Sequence, residues 1–425
     1  MSVAPARACA FGVIRRVFEQ GAFADRALHA AATGLDARDR ALATALVYGT
    51  VQRRRTLDYV LAELSSRPLE RLEPAVLAAL RLGAQQLLFL GGISDYAAVD
   101  DSVELAKRHS RGGAPTVNAV LRRTATEGPA LLAGLDDATP AAAAILHSVP
   151  DWLAELWWRE LGAHEAVALL RAVNDPAETA IRVNTLRADR EAVTAALPAA
   201  ASPAPAPGLP EGLVLAGPFD AHGSELWRAG AIMPQSRASM LVSRALEPLP
   251  GERVLDLCAA PGAKTTHLAA LMDDAGELVA VDAHAGRAQA LERTCARMGA
   301  TSVSVQCLDG RSFEAERSFD RVLVDPPCSG LGTLQSRPDL RWQPRRGELQ
   351  RLATRQGQLL RAGADALARA GTLVYSVCTI SRVESDQVVD DFLAERGGFA
   401  CEERRQLLPS RDGTDGFFIA RLKGP

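Results

Sequence analysis

The chain has no C-x-x-C pair and no Cys/His cluster at zinc-binding spacing, although it holds seven cysteines, at 9, 258, 295, 307, 328, 378 and 401. An odd count without paired spacing argues against a disulfide framework, and the missing clusters argue against a structural metal. No apolar run reaches the 18 residues that a membrane span needs. The opening MSVAPARACAFGVIRRVFEQ lacks the uninterrupted apolar core of a signal peptide. The expectation is a cytoplasmic protein with reduced thiols, no metal and no membrane partner. Lysine is scarce: Lys107, Lys264 and Lys423 are the only three, and arginine supplies the other basic residues. Strong charge of either sign is also absent, since the net charge is -3. Residues 1–130 nevertheless hold 17 Lys and Arg against 13 Asp and Glu. That local excess is either a set of solvated helix faces or an electrostatic footprint for nucleic acid.

What is present falls into three stretches. With 425 residues, 48% of them hydrophobic, the chain can bury more than one core. Residues 5–130 repeat apolar positions at helical period, as in Leu42, Leu46, Leu57, Val60 and Leu61, and predict an all-helical domain over 1–135. Residues 140–235 read as a short helical bridge followed by a small α+β unit. The Pro/Ala-rich stretch near 198–210 is expected to be a flexible insert, because its composition cannot bury a core. From 236 to 425 strands and helices alternate, with apolar runs at 253–257, 277–282, 302–306, 319–325, 371–376 and 416–422. Such alternation implies a parallel, doubly wound Rossmann-like sheet, which binds ligands at the carboxyl ends of its strands.

Every chemically suggestive residue lies at one of those ends. The first strand runs into Cys258, Ala259, Ala260, Pro261, Gly262, Ala263 and Lys264, small residues that allow close backbone approach before a helix begins. The pattern is neither G-x-G-x-x-G nor a P-loop. Asp282 ends the second strand, where an acid can take both ribose hydroxyls. Asp309 follows the third and could accept from an adenine amino group. An adenosine carrying an amino-acid tail suits this set. The fourth strand ends in Asp325-Pro326-Pro327-Cys328 and the fifth in Val377-Cys378-Thr379. Two thiols and a carboxyl group over one pocket suit methylation of a pyrimidine at carbon 5: a thiolate adds to carbon 6, an acid takes up charge at ring nitrogen 3, and a base removes the carbon 5 proton. The target base must be single-stranded or flipped out. These residues alone do not choose which thiol attacks.

LDLCAAPGAKTTHLAAL, VDPPCSGLGT, LVYSVCTISRVESDQVV and TDGFFIARL together resemble the Sun-type (RsmB-type) RNA cytosine-5 methyltransferases, and RVNTLR and MPQSRASMLV resemble the family's segments before the catalytic core. The likeness covers essentially the whole chain, with the first part similar to a NusB-type RNA-binding domain. It implies S-adenosylmethionine against the 258–264 turn, with Asp282 on the ribose, Asp309 near the adenine, and Arg287 and Asp325 close by. It implies Cys378 as nucleophile, Cys328 as the group that governs release, and Asp325 on the cytosine. The implied substrate is a cytosine in 16S ribosomal RNA, bound by a monomer. Transfer RNA as substrate, a non-catalytic RNA-binding factor, and a redox protein using the cysteine pair are the alternatives. Three departures bear on fit: Ala263 where glycine is common and expected to restrict the turn, Ser236 where Asp is frequent, and Ser385 where Asn is frequent.

Overall fold

A computed structural model describes residues 3–343 and 346–425. The chain divides into two compact units, Met1–Asp175 with Leu334–Pro344, and Pro176–Thr333 with Arg345–Pro425.

The first unit is helical. Its helices are α1 (Pro5–Gln20), α2 (Ala24–Ala31), α3 (Ala37–Gln52), α4 (Arg54–Leu64), α5 (Pro74–Phe89), α6 (Asp95–His109), α7 (Ala114–Ala133), α8 (Pro140–Leu146), α9 (Asp151–Leu161) and α10 (Ala163–Ala172). Local chemistry sets their ends. Pro5 opens α1 and Gly21 closes it at φ +66, while Asp36 caps α3 by accepting from the Asp39 N–H. Helix α5 is buried along most of its length, and a Cβ on Gly83 would stand 2.4 Å from Leu121, so α5 and α7 approach through that glycine. Val13, Ile14, Leu46, Leu57, Leu61 and Leu80 share one core, each fully buried side chain contributing about 1.5–3 kcal/mol.

The second unit carries two sheets. The smaller is antiparallel, in the order β2-β3-β1-β4, from β1 (Thr179–Val183), β2 (Pro203–Pro205), β3 (Gly212–Leu215) and β4 (Ile232–Pro234). Two short helices, α11 (Arg190–Ala196) and α12 (Glu225–Arg228), connect its strands. The stretch expected to be a flexible insert is instead its edge strand. Ala201, Ala206 and Leu209 are buried, and proline is tolerated because an edge strand has one unpaired side.

The larger sheet has the order β10-β11-β9-β8-β5-β6-β7, from β5 (Arg253–Leu257), β6 (Glu277–Asp282), β7 (Val303–Cys307), β8 (Phe319–Val324), β9 (Leu367–Val377), β10 (Ala400–Leu407) and β11 (Phe417–Lys423). Around it lie α13 (Arg237–Leu246), α14 (Ala263–Leu271), α15 (Ala285–Met298), α16 (Arg346–Asp365) and α17 (Asp386–Glu395), with α18 (Pro409–Asp412) between the last two strands. Strands β5 to β9 are parallel, but β11 runs antiparallel to β9 and β10 antiparallel to β11. The sheet is therefore mixed, which corrects the all-parallel expectation. Only a short connection separates β10 from β11, too little chain for a parallel crossover. The order reverses between β5 and β8, and the crevice at that switch point faces the carboxyl ends of both strands.

Candidate active site

Strand β5 delivers the chain into a tight loop. Cys258 takes φ +66, a left-handed conformation rare for a side-chain-bearing residue. Ala259 N–H donates to the Val281 carbonyl at 2.9 Å and Gly262 N–H to the Ala259 carbonyl at 3.0 Å. Gly262 sits at φ +103, and a Cβ there would stand 2.7 Å from Leu291. Ala263 is already the first residue of α14, so it does not restrict the turn; the glycine requirement falls one residue earlier. The other departures are also accommodated. Ser236 caps α13 by accepting from the Ser239 N–H, and the Ser385 hydroxyl donates to the Ser381 carbonyl at 2.8 Å.

Asp282, buried at the end of β6, accepts from the His284 N–H at 3.0 Å and lies 3.2 Å from Arg287 Nη2. The same Arg287 nitrogen donates to the Ala260 carbonyl at 2.6 Å, tying the Cys258–Gly262 loop to β6. Asp309 caps a short 3-10 turn and is held by Arg311, whose Nε and Nη2 donate to it at 3.1 and 2.6 Å. Those bonds hold its carboxyl down to about 2. Cys258, Asp282, Arg287 and Asp309 line one cleft with Arg355 and Leu359 of α16. Arg355 drew no notice in the sequence, yet its buried Nε has no hydrogen-bond partner among the described residues. Beneath the loop, Asp256 accepts from Thr265 Oγ1 at 2.7 Å. Burial pushes its carboxyl up to about 7, and the charges of Asp325 and Asp282 add to that rise.

The second half of the site lies over β8 and β9. Asp325 accepts from Lys264 Nζ at 2.8 Å through one oxygen and from Ser376 Oγ at 2.8 Å through the other. Burial disfavours the Lys264 ammonium, but the Asp325 carboxylate outweighs it and raises the pKa. Cys328 Sγ and Cys378 Sγ are 3.2 Å apart. Hydrogen bonding with Cys378 and burial both drive the Cys328 thiol well above its ordinary pKa. The structure thus brings Asp325, Cys328, Cys378 and Lys264 to one place, and Cys258, Asp282, Arg287 and Asp309 to the adjoining cleft. All seven cysteines are free thiols, and among the described residues no group of three His, Cys, Asp or Glu could hold a metal ion. Sequence reasoning also passed over Glu384 and Gln356. Both are fully buried, and they bond the residues flanking Cys328.

The start of the loop at Cys258, a buried acid at the next strand end and a buried arginine nitrogen without a partner among the described residues line one cleft, and that set fits an adenosyl cofactor. Three family models match the chain: the NusB family over residues 4–126, a ferredoxin-like domain of the RsmF/B-like methyltransferases over 149–222, and the 16S rRNA methyltransferase RsmB/F over 243–423. Ribosomal RNA small subunit methyltransferase B of Thermus thermophilus is 37% identical, over 91% of this chain and 89% of its own. The protein of that name from Pseudomonas putida is 32% identical over 91% of each chain. Among solved structures, that of PH0851 is 27% identical with a TM-score of 0.83, covering 99% of both chains. A methyltransferase homolog protein from Pyrococcus horikoshii is 25% identical with a TM-score of 0.61, covering 67% of this chain and 99% of its own. The methyl donor of this group is S-adenosylmethionine. Fold and relatives agree, and the chain belongs to the RsmB/F family of 16S rRNA methyltransferases.

Proposed function

We propose that the protein methylates carbon 5 of a specific cytosine in 16S ribosomal RNA, as a monomer in the cytoplasm, through a covalent bond between Cys378 and carbon 6. The observation that carries this reading is the pair of sulfurs 3.2 Å apart beside a carboxylate held by a lysine. Asp282 and Arg287 would hold the ribose end of the cofactor, the loop from Cys258 to Lys264 its amino-acid end, and Asp309 the adenine. Bound there, the cofactor supplies an electrophilic methyl group.

The resemblance to the RNA cytosine-5 methyltransferases assigns the attack to Cys378 and leaves Cys328, whose thiol is held protonated by Cys378 and by burial, to govern release. As the Cys378 sulfur bonds to carbon 6, electron density moves to carbon 5 and onto the ring, where Asp325 steadies nitrogen 3 and the amino group. Carbon 5 then takes the methyl. Bonding at Cys378 also removes the hydrogen bond and the charge that hold the proton on Cys328. Cys328 can now release that proton to solvent and take the one from carbon 5. The double bond re-forms and Cys378 leaves as thiolate.

The test uses two variants incubated with cofactor and small-subunit RNA. Cys328→Ala should accumulate a protein–RNA adduct stable to denaturant, and Cys378→Ala should form none and be inactive. The reverse pattern would exchange the two roles. Absence of adduct from both would remove the covalent route. Mapping 5-methylcytosine in RNA from cells lacking the protein names the target base.

A further inference from the structure

Glu384 lies outside the set of residues given a role above, yet it is fully buried and accepts four hydrogen bonds. Its Oε1 accepts from the Ser329 N–H at 2.9 Å and from Gln356 Nε2 at 3.0 Å. Its Oε2 accepts from Ser329 Oγ at 2.5 Å and from Thr379 Oγ1 at 3.1 Å. Ser329 directly follows Cys328, and Thr379 directly follows Cys378. One carboxylate therefore grips the immediate neighbours of both thiols, and the two gripped hydroxyls are themselves 2.8 Å apart. Filling the space would need only an apolar side chain of similar size. Burying an acid is costly unless its acceptors are used, and here the donors converge from both thiol-bearing loops.

The two cysteines depend on this clamp unequally. Cys378 follows the last residue of β9, which pairs with Phe418 of β11, and its own carbonyl accepts from the Gly332 N–H at 3.0 Å. The sheet holds it. Cys328 lies beyond the end of β8, in a loop after two prolines. Its neighbours are fixed through Gln356, which donates to the Pro327 carbonyl at 3.0 Å, and through the two bonds from Ser329 to Glu384. We propose that Glu384 is a positioning residue that places the Cys328 sulfur against Cys378, and so serves release of the methylated base more than attack upon it. The inference rests on the assignment of attack to Cys378 and release to Cys328.

Glu384→Gln keeps the volume and half of the acceptors, and its amide can still donate to one of the hydroxyls. Expected is a fall in kcat of about tenfold or more, with KM for RNA changed by less than about threefold. The covalent adduct should accumulate during turnover although Cys328 is intact. A merely structural role would lower adduct formation and turnover together, with no accumulation. Cys328→Ala is run beside it. If Cys328→Ala traps adduct and Glu384→Gln does not, the role of Glu384 is overturned while the assignment of the thiols stands. If Cys328→Ala traps none, that assignment fails and the inference falls with it. Should Glu384→Gln not fold, Ser329→Ala, which deletes one of the four bonds, decides by the same readout: trapped adduct supports the clamp, and its absence beside a trapping Cys328→Ala overturns it.

Discussion

Asp256 shows how one buried group can make the protein's stability depend on pH. Its carboxyl is raised from 3.8 to about 7, chiefly by burial. The folded state therefore binds a proton that the unfolded chain has already released between those two values. Stability falls as pH rises through that window and levels off above about 7. Asp256→Asn keeps an acceptor for Thr265 Oγ1 and cannot ionise. It should match the wild type near pH 4 and become more stable by a growing margin toward pH 8, on the order of a few kcal/mol at the plateau. Denaturant unfolding at a series of pH values checks this; a margin that stays constant would show that Asp256 does not titrate in the window.

At the scale of elements, what the sequence made legible tracks apolar periodicity. The five parallel strands announce themselves as apolar runs, and those of β6, β8 and β9 lead directly into Asp282, Asp325 and Cys378. Strand β10 does not, because Glu402, Glu403, Arg404 and Arg405 cover an edge whose charges discourage further pairing. Strand β2 was hidden by the prolines that only an edge tolerates. Glu384 and Arg355 were hidden for another reason: their partners are distant in sequence, and no local pattern marks a buried acid or a lone orphan nitrogen. The segment 334–343 is the largest surprise of this kind. It follows the Cys328 loop in sequence but packs in the first unit. Arg341, fully buried, donates to the carbonyls of Gln52, Ser148 and Val173 and to Asn174 Oδ1, and Trp342 Nε1 donates to the Val51 carbonyl at 2.7 Å. Arg341→Ala strands those acceptors and leaves a cavity. It should destabilise the first unit by about 3 kcal/mol or more. Hydrogen exchange should then quicken in α3 and in α8 to α10, and unchanged protection there would show that the arginine is dispensable.

At the scale of the whole molecule, that crossing chain means the first unit is not a contiguous domain. Helices α1 to α7 share a core, and Trp342 of residues 334–343 packs against it. A fragment of residues 176–425 would keep both sheets and the two thiols but would strip the cover from Arg341 and Trp342. The fragment keeps every residue of both sheets and of the two cores that flank the larger one, so it should fold as a sheet-bearing body with residues 334–343 uncovered. Trypsin discriminates the two states. In the full chain Arg341 is fully buried, and cleavage after it requires the first unit to open. In the fragment the same bond should be cut early, with the product masses identifying Arg341 as the site. Equal resistance in both would mean that residues 334–343 hold their shape without the helices, and the coupling of this segment to the first unit would then be packing without dependence.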